Sequence, residues 1–298
     1  MPQGVRERSH PGRLQCVKLA HYASVLGTDV DHLTLRAGQR HDVIMDHSAG
    51  VAWRFPRTAA ALTAFPTTVA RTRRARTSGL PAPEVVDVVT GPLGTARMGL
   101  TLLDGTGMSR EVVEPLGPRA RATLVHGLSA LLGTLRSVEP VDWPQMPTSW
   151  SDRWQLLGSR LRTDVLPLIG SDKGRLQAAS HVEAAEAAAS GAGTYGLTHG
   201  DLGGENVLLD PESGELVGVL DWDDAVPGDP AVDLAAILAH APDWLADGLF
   251  ALDPSLTALA RRAEAYLGTF ALQQALWGVE AGEEAEVTDG LADYLALG

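Results

Sequence analysis

The chain has 298 residues, 45% of them apolar, with a mean hydropathy of zero and a net charge of −13. That length suits one large domain or two small ones; the acidic balance argues against a general nucleic-acid binder and favours a cationic partner; the single cysteine, Cys16, excludes an intrachain disulfide framework and suits a reducing cytoplasm. No apolar run approaches the ~18 residues of a membrane span, and the opening MPQGVRERSH leads into no apolar signal core, so a cytoplasmic chain with no membrane partner is expected.

In chain order, residues 1–12 read as a loose tail and 13–25 as a helix. LTLRAGQRHDVIMDHSAGVAWRFPR, 33–57, reads as a strand meander whose HSAG, 47–50, is a turn. Helix formers and basic residues fill 58–76. The prolines of GLPAPEVVDVV, 79–89, then break that helix, and the alternating valines predict a strand. Residues 97–103 give one more strand, and the Gly-rich LDGTGMS, 103–109, marks a hinge. Beyond it, 118–137, 150–168 and 173–189 carry helical spacing. LTHGDLGGENVLLD follows, then PESG and ELVGVLDW, which make a hairpin by pattern, and from Asp229 the chain reads as helical to its end. The expected organisation is α+β: a small sheet-rich lobe over 1–103, a hinge over 104–109, and a larger helical lobe over 110–298 that holds one hairpin.

The chemistry concentrates around that hairpin. His199, Asp201 and Asn206 precede its first strand, and Asp221 ends its second. Antiparallel pairing sets the entry of one strand beside the exit of the other, so Asn206 and Asp221 are expected close together with Asp201 beside them. Two oxygen ligands suit a hard cation such as Mg²⁺, which completes its shell with waters and phosphate oxygens. A free carboxylate nearby then accepts the proton of an attacking hydroxyl. Positioning and charge neutralisation are most of what phosphoryl transfer asks of a protein.

H-G-D-L-G-G-E-N resembles the catalytic loop of protein kinases, H-R-D-x-x-x-x-N, with the same Asp-to-Asn spacing, and L-D-W stands where D-F-G would. With GVLDWDDA and GDPAVDLA downstream, the chain is similar to the aminoglycoside and macrolide phosphotransferase family, in which VAWRFPR resembles the strand with the phosphate-contacting cation and SGLPAPEV the entry to the next strand. GDLGGENVL, DWDDAVPGDPAVDLAAI and GTFALQQALWG resemble most the branch of viomycin and capreomycin phosphotransferases. The resemblance implies a protein-kinase-like two-lobe fold. It makes Asp201 the catalytic base, Asn206 and Asp221 the magnesium ligands, and Arg54 a nucleotide-binding cation. His199, Asp229 and Asp233 become structural supports. The implied activity is transfer of the γ-phosphate of ATP or GTP to a hydroxyl of a cationic antibiotic, a tuberactinomycin peptide first, conferring resistance. The partners are then small molecules, with no choice made between monomer and dimer.

The small lobe departs from the pattern. Arg54 stands where protein kinases carry Lys, and no acid occurs over 58–83 to pair with it; Thr67, Thr68, Val69 and Ala70 occupy the place of the expected Glu. An acidic wall for a cationic acceptor is expected from Asp223, Asp224, Glu280, Glu283 and Glu284. Rival readings are an aminoglycoside, macrolide or small-metabolite kinase of the same fold, and a ligand-binding pseudokinase without turnover. A third is a non-haem iron site built from His199, Asp201 and His240.

Overall fold

The computed structural model describes residues 11–38, 40–139, 143, 149–192 and 196–296. Most of the expected tail therefore lies outside the described residues, and the first helix already begins at Pro11. The chain divides into two compact units. One comprises Met1–Thr77 and Ala82–Asp104, the other Ser78–Pro81 and Gly105–Gly298.

The first unit holds α1 (Pro11–Leu26), β1 (Leu33–Ala37), β2 (His41–Asp46), β3 (Val51–Pro56), α2 (Ala59–Thr77), β4 (Val85–Val89) and β5 (Arg97–Thr101). Its sheet runs β1-β2-β3-β5-β4 with every neighbour antiparallel. The expected HSAG turn forms because Asp46 Oδ1 accepts from the N–H groups of Ser48 and Ala49, both at 3.0 Å, an Asx-type turn that ends on Gly50 at φ +65°. Tyr22 and Ala23 of α1 pack on Leu33, Leu35, Ile44 and Phe55. The Tyr22 hydroxyl, 2.8 Å from Asp42 Oδ2, gives that buried carboxylate a donor. On α2, Phe65 and Val69 pack on Met98 and Leu100. Thr58 caps this helix by accepting the Ala61 N–H at 3.1 Å.

The second unit holds β6 (Thr106–Gly107), α3 (Arg110–Val113), α4 (Pro118–Ser137), α5 (Trp150–Arg160), α6 (Asp172–Ser190), β7 (Gly196–Thr198), β8 (Val207–Leu209), β9 (Leu216–Val219), β10 (Val226–Gly228), α7 (Ala231–His240), α8 (Asp243–Leu252), α9 (Thr257–Leu267), α10 (Phe270–Ala281) and α11 (Glu284–Ala296). The stretch read as a hinge contains β6, which pairs with β8 in a three-stranded sheet of order β6-β8-β9. The segment Ser78–Pro81 also belongs here, and the Pro81 carbonyl accepts the Val219 N–H at 2.8 Å. Strands β7 and β10 form a separate antiparallel pair. The single helix expected over 150–168 ends instead at Arg160 and continues as a π turn, Leu161–Val165, and a 3-10 turn, Leu166–Leu168. Pro167 has no N–H to donate and its ring crowds the preceding turn, so the α ladder cannot continue. Leu161, Val165 and Ile169 pack with Val182, Leu272, Leu276 and Tyr294 in the helical core. Among the described residues no helix is long and apolar enough to cross a membrane.

Candidate active site

The loop between β7 and β8 carries the polar residues, and four contacts fix its course. The Asp233 carboxylate, in the first turn of α7, accepts the His199 N–H at 2.8 Å and the Gly200 N–H at 3.0 Å. Asp233 is 1% exposed, and burial pushes its carboxyl up to about 6, opposed by His199 and by these two N–H donors. His199 is fully buried with its ring against Trp222 at 4.8 Å. Its Nε2 lies 2.8 Å from the Leu220 carbonyl, which can only accept, and its Nδ1 accepts the Asp201 N–H at 3.3 Å. Both ring nitrogens are thus committed to backbone, which leaves no lone pair for iron. Among the described residues no group of three or more His, Cys, Asp or Glu side chains is arranged to hold a metal.

Gly200 is required by two features. Its φ is +84°, and a Cβ there would stand 2.9 Å from the Asp224 carbonyl oxygen. The loop backbone therefore presses directly on the turn that follows β9.

Asp201 follows at a solvent-facing position on the loop. The protein atoms packed around its carboxyl strip away water and push its pKa up; His199 opposes this, while the charges of Asp221 and Asp224 push the same way. Asn206 Nδ2 donates to the Asp201 carbonyl at 2.9 Å and to its Oδ2 at 3.0 Å. These bonds orient the Asn206 amide and leave its Oδ1 turned from Asp201. The Leu220 N–H donates to the Asn206 carbonyl at 2.8 Å, so Asp221 follows directly on the residue paired with Asn206. Asp221 adopts φ 56° and ψ 70°, and it is the sole non-glycine at positive φ among the described residues. Such strain is kept where the surroundings over-determine it. The donor set fits magnesium: hard oxygens from an amide and a carboxylate, within a concentration of negative charge that already raises Asp201.

Asp229 is fully buried and accepts from Arg262 Nε at 2.7 Å, Arg262 Nη2 at 3.1 Å, the Tyr266 hydroxyl at 3.0 Å and the Ala231 N–H at 3.1 Å. It ties β10 and the start of α7 to α9. Arg262 and Tyr266, more than thirty residues away, carry no local sequence signal of this pairing.

The residues expected to form an acidic wall differ in exposure and in partners. Asp223 is buried rather than open, because the 3-10 turn Trp222–Asp224 after the left-handed Asp221 turns both Trp222 and Asp223 inward. Asp224 lies against the loop at Gly200 and 3.9 Å from Arg153 of α5. Glu280 is ion-paired with Arg160, while Glu283 and Glu284 are exposed at the α10–α11 turn, where the Glu283 N–H donates to the Gly278 carbonyl and the Glu284 carbonyl accepts the Thr288 hydroxyl. Tyr294 fills the core and bonds His181 Nδ1 at 3.1 Å.

In the first unit, Arg54 on β3 is buried, with Nη2 3.1 Å from His41 Nδ1. Val43 is the cross-strand partner of Arg54, so His41 is its diagonal neighbour on the same face. The buried face of α2 offers Phe65, Thr68, Val69, Arg71 and Thr72, without a carboxylate. This contact to Arg54 is thus a histidine from the neighbouring strand and not an acid from α2, and strand register is the sequence signal for it.

Residues 36–275 match the model of a family described as "Phosphotransferase enzyme family". Viomycin phosphotransferase from Streptomyces vinaceus is 40% identical over 199 residues, and that match spans 66% of each chain. Among solved structures, the GDP and kanamycin complex of APH(2")-IIia superposes with a TM-score of 0.77 at 18% identity, covering 93% of this chain and 98% of that one. The GDP complex of wild-type aminoglycoside 2'-phosphotransferase-IIIa gives 0.76 at 17%, covering 92% and 96%. These likenesses establish the fold as protein-kinase-like, with an antiparallel-sheet unit and a helical unit.

Proposed function

The chain belongs to the phosphotransferase enzyme family, and from that premise we propose that it transfers the γ-phosphate of ATP or GTP to a hydroxyl of a tuberactinomycin-type peptide antibiotic. The observation that carries this reading is the Asp201–Asn206–Asp221 arrangement on one loop and hairpin. In the proposed reaction the acceptor oxygen forms a bond to the γ-phosphorus and the bond from that phosphorus to the bridging oxygen breaks. The nucleoside diphosphate leaves, and the hydroxyl proton passes to Asp201. A carboxylate pushed up by the protein atoms crowding it and by Asp221 and Asp224 holds that proton more readily than an ordinary aspartate. Asn206 orients the carboxylate through its amide, and Asp233 and His199 hold the loop from behind. Asn206 Oδ1 and Asp221 would hold magnesium, which when bound neutralises triphosphate charge. In the first unit Arg54 is assigned to the nucleotide's phosphates, as a guanidinium fork instead of a point charge.

The peptide acceptor is supported by the 40% identity to viomycin phosphotransferase and by the net charge of −13, which suits a cationic substrate. A resistance role follows if the modified hydroxyl is one the drug needs. The test incubates the protein with viomycin, capreomycin, kanamycin and a macrolide, each with ATP and with GTP, and reads the mass gain of one phosphate. Phosphorylation of viomycin or capreomycin is expected. Modification of kanamycin or the macrolide with neither peptide would overturn the substrate assignment, and no phosphorylation of any acceptor would overturn the activity.

A further inference from the structure

Two adjacent glycines in the loop, Gly203 and Gly204, differ in why they lack a side chain. At Gly204 a Cβ would fall 2.4 Å from the Met108 carbonyl oxygen and 3.6 Å from the His240 ring. Met108 is itself fixed by its N–H to the Val207 carbonyl at 2.9 Å, so backbone packing alone excludes a side chain at 204. Gly203 has no such constraint. Its φ is outside the left-handed region, and a Cβ would meet just Asp201 Oδ1 at 3.8 Å and His240 Nε2 at 4.0 Å, both ordinary van der Waals separations. Folding does not require glycine there. What the missing side chain leaves is a point within reach of both the Asp201 carboxylate and the His240 imidazole.

His240 is the last residue of α7 and is exposed. It lies seven residues after Asp233, two turns along the same face of the helix. One helix therefore holds the loop by Asp233 at its first turn and borders Gly203 with His240 at its last. Glu111, in the first turn of α3, feels the same imidazole: its own N–H and the Ser109 hydroxyl hold its carboxyl below the usual range, with Arg110 and His240 adding to the effect. Neither Gly203, His240 nor Glu111 has a part in the chemistry assigned above.

We propose that Gly203 and His240 form the acceptor-binding wall beside Asp201. The space over Gly203 admits the acceptor atoms that carry the reacting hydroxyl, and His240 Nε2 hydrogen-bonds a neighbouring hydroxyl or amine of the same acceptor. A small residue at 203 and a polar ring at 240 would then discriminate among acceptors by shape and by hydrogen bonding. This proposal rests on the reading of Asp201 as the base.

The experiment titrates viomycin into wild type, Gly203→Ala, His240→Ala and His240→Gln by calorimetry, and measures steady-state KM for viomycin and for ATP in the same variants. Gly203→Ala adds one methyl at ordinary contact distances, so it should fold as wild type does while filling the acceptor space. The expected result is viomycin Kd and KM raised about tenfold or more in Gly203→Ala and His240→Ala, the scale of one misplaced methyl or one lost polar contact in a substrate pocket. KM for ATP should move far less, and His240→Gln should recover part of the loss because its amide can still hydrogen-bond. Viomycin Kd within twofold of wild type in both Gly203→Ala and His240→Ala, or an equal rise for ATP and viomycin, would overturn the proposal. An inactive Asp201→Asn with these unchanged constants removes this proposal alone. A wild type that binds no viomycin removes the peptide-acceptor assignment and this proposal with it, and an Asp201→Asn that turns over normally removes the reading of Asp201 as the base.

Discussion

Replacing Gly200 by alanine should damage the loop by two separable effects. At φ +84° an alanine sits in the left-handed region, which costs about 1–2 kcal/mol relative to glycine. The new Cβ would also stand 2.9 Å from the Asp224 carbonyl oxygen and 3.4 Å from the Asp224 Cβ. Since backbone meets backbone there, one segment must move, and overpacking of this kind adds about 1–3 kcal/mol. Gly282 provides the comparison within the same unit: its φ is +70°, but a Cβ there meets nothing within 4 Å, so Gly282→Ala should carry the conformational cost alone. At ~2–4 °C per kcal/mol for a domain of this size, differential scanning calorimetry should find Gly282→Ala about 2–8 °C less stable than wild type, and Gly200→Ala lower again by several degrees. Asp201 directly follows Gly200, so the forced shift also misplaces the base. Turnover in Gly200→Ala should drop about tenfold or more, in keeping with the sensitivity of catalysis to sub-ångström misplacement. Equal losses of Tm in the two variants, with turnover unchanged in Gly200→Ala, would refute the argument that the loop presses on the Asp224 turn.

Other consequences can be checked separately. Asp221→Ala should abolish the magnesium dependence of nucleotide binding measured by titration with and without chelator, and retention of full activity at limiting Mg²⁺ would place the metal elsewhere. Asp233 titrates near 6 in the folded protein and near 3.9 unfolded, so the unfolded chain releases this proton first. Its contribution is greatest below about pH 4, is lost as pH rises to about 6, and amounts to ~3 kcal/mol. Urea unfolding of wild type should therefore lose stability across that window relative to Asp233→Asn, and parallel pH profiles would contradict it. Arg262→Ala leaves the buried Asp229 carboxylate without its cation, which typically costs about 3–5 kcal/mol; a variant as stable as wild type by urea midpoint would show that Asp229 is held by Tyr266 and Ala231 alone.

Residue order carried much of this in advance where chemistry and short-range pattern coincide. The meander of β1 to β3, the hairpin of β8 and β9 and the helices after Asp229 follow from alternation, turn residues and helical spacing. Strands β7 and β10 escaped because three residues carry no measurable period. The π turn after Arg160 escaped because helical spacing of apolar residues continues through it, although Pro167 marked its end. Long-range partners were the other blind spot. Nothing local to Asp229 announces Arg262, nothing near Glu280 announces Arg160, and the inward turn of Asp223 depends on the backbone angle of Asp221. By sequence His240 suits a metal triad with His199 and Asp201. Its place beside Gly203 depends on α7 running along the loop, and the seven-residue spacing from Asp233 was the available sign of that.

Asp201 is assigned the proton of the attacking hydroxyl, and Asp201→Asn removes that acceptor while keeping the shape of the side chain. The ionised Asp201 carboxylate is disfavoured by the protein atoms crowding it and by Asp221 and Asp224, so an uncharged amide of the same shape should leave Tm equal to or above wild type. Nucleotide Kd should be little changed, while kcat at saturating nucleotide and viomycin should fall by about 10²-fold or more, the usual scale for a general base. A folded Asp201→Asn variant with near-normal kcat would contradict the account.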